Sequence, residues 1–357
     1  MKKLCFLLLL AFSMQLYGQN HINATGYHYK GFINGKIPIT MDLRIDKKHN
    51  VRGFYYYDRI GQKIYLEGKM DKNNFIKLTE TTNFDTTGYF EGIKKDSVFQ
   101  GTWYNASKTK AFKFKLTENY KHSAKVVYYY VFERILMYDT SNVAYYDVEI
   151  DLCYPVRTPY PATLDTITRL LTKIYFTYTD QSTIDESIKT YFKEERKSFR
   201  SEKDFSSYEE IKRHNYKWHD YLAGVPVFNQ NDFLIIDMAT EAYQGGVHYI
   251  YSDYFHIIDL QTGQKWKLND VVKNDKIQEL TQLIRDKLKK SNYKNEIFNY
   301  SEVEVPDNFY FTSQKITFYY NVYDIACYAT GPIEVTFDYS EIKDLLSDKF
   351  KARMLRQ

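Results

Sequence analysis

Residues 241–272 read EAYQGGVHYIYSDYFHIIDLQTGQKWKLNDVV, and this stretch decides how the second half of the chain folds. From Tyr249 to Leu260 the run is aromatic and β-branched, the composition of a pleated strand. Gly245 and Gly246 stand just before His248, where paired glycines open backbone angles closed to other residues. Gln261-Thr262-Gly263 then supplies a turn with glycine at its left-handed position. The stretch reads as a strand interrupted by a glycine pair, with a histidine beside the interruption.

Upstream, residues 24–118 show short alternating segments and almost no helical periodicity. Turn signals fall between them at Asn34-Gly35, Lys48-His49-Asn50, Ile60-Gly61, Lys72-Asn73-Asn74 and Thr86-Thr87-Gly88. Strands at a spacing of about 8–12 residues imply an antiparallel sandwich or barrel. Gly31, Gly53, Gly68, Gly92 and Gly101 recur mid-strand, where glycine permits sharp bending or close packing. An all-β antiparallel meander or small barrel over residues 21–120 is therefore expected, its interior either filled by side chains or open to a ligand.

The boundary falls near Asn119 to Ser123. Two long strands follow, Lys125 to Asp139 and Val143 to Pro155, joined through Thr140-Ser141-Asn142. Leu164, Ile167, Leu171, Ile174 and Tyr178 then keep the i, i+3/i+4 rule of a half-buried helix. A second helix starts at Thr183, whose spacing to Glu186 fits a capping box. After two more strands and the opening stretch, Asn274 or Asp275 caps a helix carrying Ile277, Leu280, Ile284 and Leu288. Two final strands and a helix from Glu341 close the chain. The fold class is α+β over residues 124–350, with an antiparallel sheet and several packed helices.

The first 18 residues read as a secretory signal peptide: Lys2 and Lys3 precede an apolar run from Leu4 to Met14. That run is far shorter than the roughly 20 residues of a membrane span, and no second run of spanning length follows. The mature chain is thus expected to be periplasmic or secreted. Loss of the leader lowers the formal charge from +4 to +2. With no basic block or arm, nucleic acid is not an expected partner.

Spacing excludes the common chemistries. His248 and His256, eight residues apart on a strand, stand roughly 26 Å from one another, too far to share a metal. His214 and His219, five apart, diverge on either kind of element. There is no HExxH, no GxSxG and no GxxxxGK[ST]. No catalytic residue, metal ligand or cofactor is expected. Cys153 and Cys327 remain after the leader; in an exported chain they are a candidate disulfide, or two small apolar residues of strands.

Two segments resemble one family. Tyr243-Gln244-Gly245-Gly246-Val247-His248 with Ile257 to Gly263 is similar to its tyrosine, Gly-Gly-Ala-His and aspartate strand with a Thr-Gly turn. Asn308-Phe309-Tyr310 and Phe318 to Ile342 resemble its paired closing strands. The family is the RsiV-like C-terminal domain, found in a lysozyme-sensing anti-sigma factor and beside a deacetylase domain in a peptidoglycan deacetylase. The resemblance is most specific over residues 240–345. This chain departs from the pattern at Cys327, where proline is usual, and at Val247 and Tyr249, where small residues are usual.

The resemblance implies an extracytoplasmic recognition domain without the signalling or deacetylase parts of those relatives. Tyr243, Gly245, Gly246, His248 and Tyr328, all inside the two motifs, are the candidate binding residues. The expected function is non-enzymatic binding in the cell envelope, of a lysozyme-like protein or a peptidoglycan fragment. The alternatives are an envelope glycan hydrolase with a dispersed site, and small-ligand binding by the N-terminal β module.

Overall fold

The computed structural model describes residues 21–137, 144–176, 183–201 and 216–355. The expected leader, the Thr140-Ser141-Asn142 turn, Tyr178 and His214 lie outside the described residues.

Eight antiparallel strands form the N-terminal unit: β1 (Ile22–Ile33), β2 (Ile37–Asp46), β3 (Asn50–Tyr57), β4 (Ile64–Met70), β5 (Phe75–Thr82), β6 (Asp85–Lys95), β7 (Val98–Asn105) and β8 (Ala111–Glu118). Each pairs with the next, and β8 returns to β1 with Phe114 opposite Ile33 and Glu118 opposite Tyr29. The meander is therefore a closed barrel. Close approach explains the glycines. At Gly68 a Cβ would lie 1.8 Å from the Lys77 carbonyl oxygen, and at Gly101 it would lie 2.0 Å from that of Glu91.

The turns follow the left-handed residues: Asn34 and Gly35 have φ of 55° and 62°, and His49, Gly61 and Asn74 are also positive. One expected turn is displaced. Thr86-Thr87-Gly88 lies inside β6, and the chain reverses at Asn83-Phe84, both at positive φ. Asparagine tolerates that conformation, and Phe84, fully exposed, meets no packing that would oppose it.

The barrel interior is filled. Tyr29, Tyr55, Phe90 and Phe99 are completely buried there, with Phe90–Phe114 and Phe99–Phe114 ring centroids 5.1 and 4.8 Å apart. At one end Glu80 is buried and accepts from Tyr55 Oη (2.7 Å), Thr87 Oγ1 (2.7 Å) and Trp103 Nε1 (2.8 Å). This packing leaves the expectation of a ligand inside the barrel without support.

The sheet does not stop at the barrel. The first residues of β1 also pair with β9 (Lys125–Leu136), Thr25 opposite Val127. From there the sheet continues through β10 (Tyr145–Arg157), β11 (Lys217–Gln230), β12 (Phe233–Tyr243), β13 (Ile250–Asp259) and β14 (Lys265–Trp266). β9 and β10 are antiparallel as expected. β10 and β11, however, are parallel, so this sheet is mixed rather than antiparallel. A parallel pair needs a crossover, and α1 (Leu164–Tyr175) and α2 (Ile184–Ser201) lie in that connection. Their buried stripes, Ile167 and Leu171 on α1 with Ile188, Phe192 and Phe199 on α2, pack on Val148, Ile150, Leu152 and Leu222. Thr183 Oγ1 accepts from the Glu186 N–H (3.2 Å), the cap the spacing implied.

A second core covers part of the opposite sheet face. It joins the short turn α3 (Leu268–Val271), α4 (Ile277–Lys289), the small antiparallel sheet β15 (Phe309–Phe311), β16 (Lys315–Tyr320) and β17 (Ile333–Asp338), and α5 (Asp348–Met354). The first closing strand is thus split in two at Thr312–Gln314. The closing helix begins at Asp348, capped by Ser347 Oγ, rather than at Glu341. Half of the described residues are strand and about a fifth helix, so the α+β description is roughly compatible, with β dominant.

Both described cysteines are free, Cys153 buried in β10 and Cys327 exposed. The candidate disulfide is not formed: Cys153 is sealed beside Tyr175, whose hydroxyl donates to the Cys153 carbonyl (3.0 Å), while Cys327 faces solvent beside Thr330.

Candidate functional site

Residues directly opposite in a ladder share one face. On β11 and β12, His219 opposes Tyr243, Tyr221 opposes Glu241, and Val225 opposes Asp237. On β13, Tyr251 opposes Glu241 and Asp253 opposes Ala239. These residues lie on the face away from α1 and α2. The small sheet covers this face where Phe233, Ile235, Phe255 and Ile257 enter the second core. Toward the 243–250 hairpin the covering ends, leaving side chains only partly buried.

The hairpin is where the sequence candidates meet. Gly245 and Gly246 have φ of 92° and 105°, and a Cβ on either would meet nothing within 4 Å. The pair is therefore there for its backbone angles, which a tight reversal between β12 and β13 requires. His248 stacks on Tyr328 with centroids 3.8 Å apart and planes 17° from parallel. Tyr328 in turn donates to the Tyr249 carbonyl (2.7 Å) and meets Tyr251 and Tyr323 at 5.6 and 5.7 Å. Tyr243 packs on Tyr249 (4.9 Å) and donates to the Gly246 carbonyl (3.2 Å). The second motif thus clamps the first, and all five candidates form one surface cluster. Val247 is 99% exposed at its crest, beside exposed Tyr249 and Ile250.

His248 Nδ1 donates to the Tyr249 carbonyl (2.8 Å), so its hydrogen-bond partner is backbone rather than a carboxylate. His256 is half-buried further along β13. Burial first, then Lys265, pushes its pKa down to about 4, which keeps the ring neutral. Among the described residues no group of three or more histidines, cysteines or carboxylates could hold a metal.

The remaining motif residues hold the frame. Asn308 accepts from the Phe255 N–H (2.9 Å) and donates to the Asp253 carbonyl (2.7 Å). Asn321 accepts from the Asp253 N–H (2.8 Å). These side chains satisfy the edge of β13 away from β12 where β14 does not reach, fastening the small sheet to the large one. Asp259 of the Asp-Leu-Gln-Thr-Gly turn is buried and accepts from Arg353 Nη1 (3.0 Å), Trp266 Nε1 (3.2 Å) and the Gln261 N–H (2.8 Å).

Two charged groupings were missed from sequence. In the first, Lys63, from the loop between β3 and β4, lies over the rings of Phe54 (4.8 Å) and Tyr310 (6.0 Å). Burial pushes its pKa down to about 8, against the opposing pull of Asp237, Asp42 and Glu334. Burial and the neighbouring Asp253 push Asp237 up to about 7. Burial also raises Glu334, which accepts from Tyr310 Oη (3.2 Å), and Asp253 accepts from Tyr319 Oη. In the second, His28 Nδ1 donates to Asp42 Oδ1 (2.8 Å) on the outer barrel wall. His28 and Asp42 both sit on outward positions of the alternating β1 and β2 patterns; only their pairing across the ladder was illegible.

Comparison with known proteins places the C-terminal part of this architecture. Residues 269–340 match the DUF3298 family model. The matching family model is described as a protein of unknown function. A crystal structure of a DUF3298 family member from Bacteroides fragilis is similar over 66% of this chain and 99% of its own, with 23% identity and a TM-score of 0.58. A DUF3298 family protein from Pseudomonas aeruginosa covers 65% of this chain and 98% of its own, with 15% identity and a TM-score of 0.47. No curated protein matches the chain. The match to residues 269–340 holds the small sheet, Asn308, Asn321 and Tyr328, whereas the glycine-pair hairpin precedes it.

Proposed function

We propose that this chain is an exported, non-enzymatic recognition protein that binds a basic protein through the 243–250 hairpin and the sheet face behind it. The observation that carries this reading is the surface cluster of Tyr243, His248, Tyr249, Tyr251, Tyr323 and Tyr328, held as one body by the Tyr328 clamp. Aromatic side chains already fixed by packing lose little entropy on binding and dominate interface energetics.

Charge supports a basic partner. Near the hairpin the partly exposed face bears Asp147, Glu149 and Glu241 against Arg134 and Lys217. Complementary fields speed encounter and select partners. The RsiV-like resemblance makes a lysozyme-like enzyme the first partner to test. The signal-like leader supports placement outside the cytoplasm, and among the described residues no helix is long and apolar enough to cross a membrane.

The test is surface plasmon resonance of the mature chain against purified lysozymes, with enzyme inhibition measured in parallel. Saturable, salt-weakened binding is expected, with Tyr328→Ala weakening it at least tenfold. If no lysozyme binds and none is inhibited, the lysozyme assignment fails. Binding that Tyr328→Ala leaves unchanged would remove the hairpin from the interface.

A further inference from the structure

Between the outer barrel wall and the large sheet runs a cleft of about 420 Å³. Its mouth is formed by exposed Tyr65, Arg52 and Glu67 on the barrel side and Val225 on β11; its depth reaches His28, which is 1% exposed. The volume lies within the range of small-molecule sites, roughly 300–1,000 Å³.

Two polar atoms on this wall lack protein partners although they are buried: His28 Nε2 and Asp151 Oδ1. Their other atoms are held. His28 Nδ1 is fixed by Asp42, and Asp151 Oδ2 accepts from Arg44 Nη1 (2.6 Å). The Arg44 guanidinium is itself seated over the Tyr128 ring at 4.2 Å. Buried polar atoms without partners are costly in a folded protein unless something satisfies them. Fixed orientation with a free acceptor is how a binding wall is built, and it differs from a core, where networks close on themselves. The barrel's own Glu80, with three donors, shows the closed kind.

We infer that this cleft binds a sugar ring, neutral or amino-substituted. Tyr65 and Tyr221 supply aromatic walls for the apolar faces of such a ring. Asp151 Oδ1 accepts a hydrogen bond from a ring hydroxyl. His28, whose Nδ1–H is committed to Asp42, offers Nε2 as a second acceptor in its neutral form. The charged lining comprises Arg44 and Arg52 against Asp42, Glu67 and Asp151, so the site holds one net negative charge and disfavours an anion. This inference is independent of the reading of the hairpin, which lies at the other end of the same sheet.

The experiment is saturation-transfer NMR, with calorimetry where affinity permits, on the full chain with glucose, glucosamine and glucuronate. Glucose or glucosamine is expected to bind, with glucuronate at least tenfold weaker. Asp151→Asn should weaken binding about tenfold or more. Val225→Trp, at an exposed position, should block the mouth without touching the polar groups, and circular dichroism checks that both variants fold. The inference is overturned if none of the three sugars binds, if glucuronate binds best, or if the folded Val225→Trp protein binds as well as the parent.

Discussion

In the barrel, Tyr29, Tyr55, Phe90, Phe99 and Phe114 turn inward and are at most 3% exposed; at the 243–250 hairpin, Tyr249, Ile250 and Val247 turn outward and are 43–99% exposed. Both regions are aromatic, so aromatic content by itself separates neither core from surface nor scaffold from site. The difference lies in what surrounds the rings. Closure of β1 on β8 turns the inward rings onto one another and onto the barrel's aliphatic side chains. The hairpin projects past the small sheet, and its rings are ordered instead by stacking and by hydrogen bonds to backbone.

Replacement of one barrel ring should have the largest effect. Phe99→Ala is expected to cost about 3–5 kcal/mol, measured by urea unfolding of the full chain. A loss near 1 kcal/mol would mean the interior can collapse, and the contrast with the hairpin would weaken.

The boundary between the two regions should report pH. Asp237 is raised to about 7 in the folded chain, against ~4 in the unfolded one. The folded state therefore holds the extra proton between those values, and the Asp237 contribution to stability falls as pH rises from ~4 to 7. Lys63, lowered to about 8, releases its proton earlier when folded, so its contribution rises from pH 8 toward ~10.4. Asp237→Asn should remove the acid limb, read as the difference between variant and parent melts across pH 4 to 8. A constant difference would show that the junction is solvated.

Smaller effects belong to the hairpin. Gly246→Ala introduces a side chain at φ 105° with no clash around it, so only backbone strain is added, about 1–2 kcal/mol. Thermal denaturation measures it. Tyr328→Ala should change stability by less, about 1 kcal/mol or below, because its ring is only half-buried. A larger loss by the same melt would make Tyr328 a structural anchor rather than a surface platform.

Much of the frame was legible because it is local. Alternation placed the barrel strands, and left-handed residues such as Asn34 and His49 marked turns. The i, i+3/i+4 stripe through Ile167 and Leu171 named the buried face of α1. The failures were those where local cues compete or are silent. Gly88 attracted a turn that Asn83-Phe84 makes, since glycine serves close strand packing as readily as positive φ. The parallel pairing of β10 with β11 leaves no mark in either strand. The five hairpin and clamp residues came from two motifs about 80 residues apart, and neither motif shows that Tyr328 reaches the Tyr249 carbonyl.

The sequence by itself determined the strands, the barrel's coiling glycines, the helix stripes and the conformation of the Gly245-Gly246 reversal, because each depends on dihedral preference and short-range periodicity. Only the tertiary structure decided that β1 serves both barrel and large sheet, that Lys63 comes within electrostatic reach of Asp237, and that His28 and Asp151 line one cleft. Those meetings depend on desolvation and on contacts between residues far apart in the chain, and no local preference encodes them.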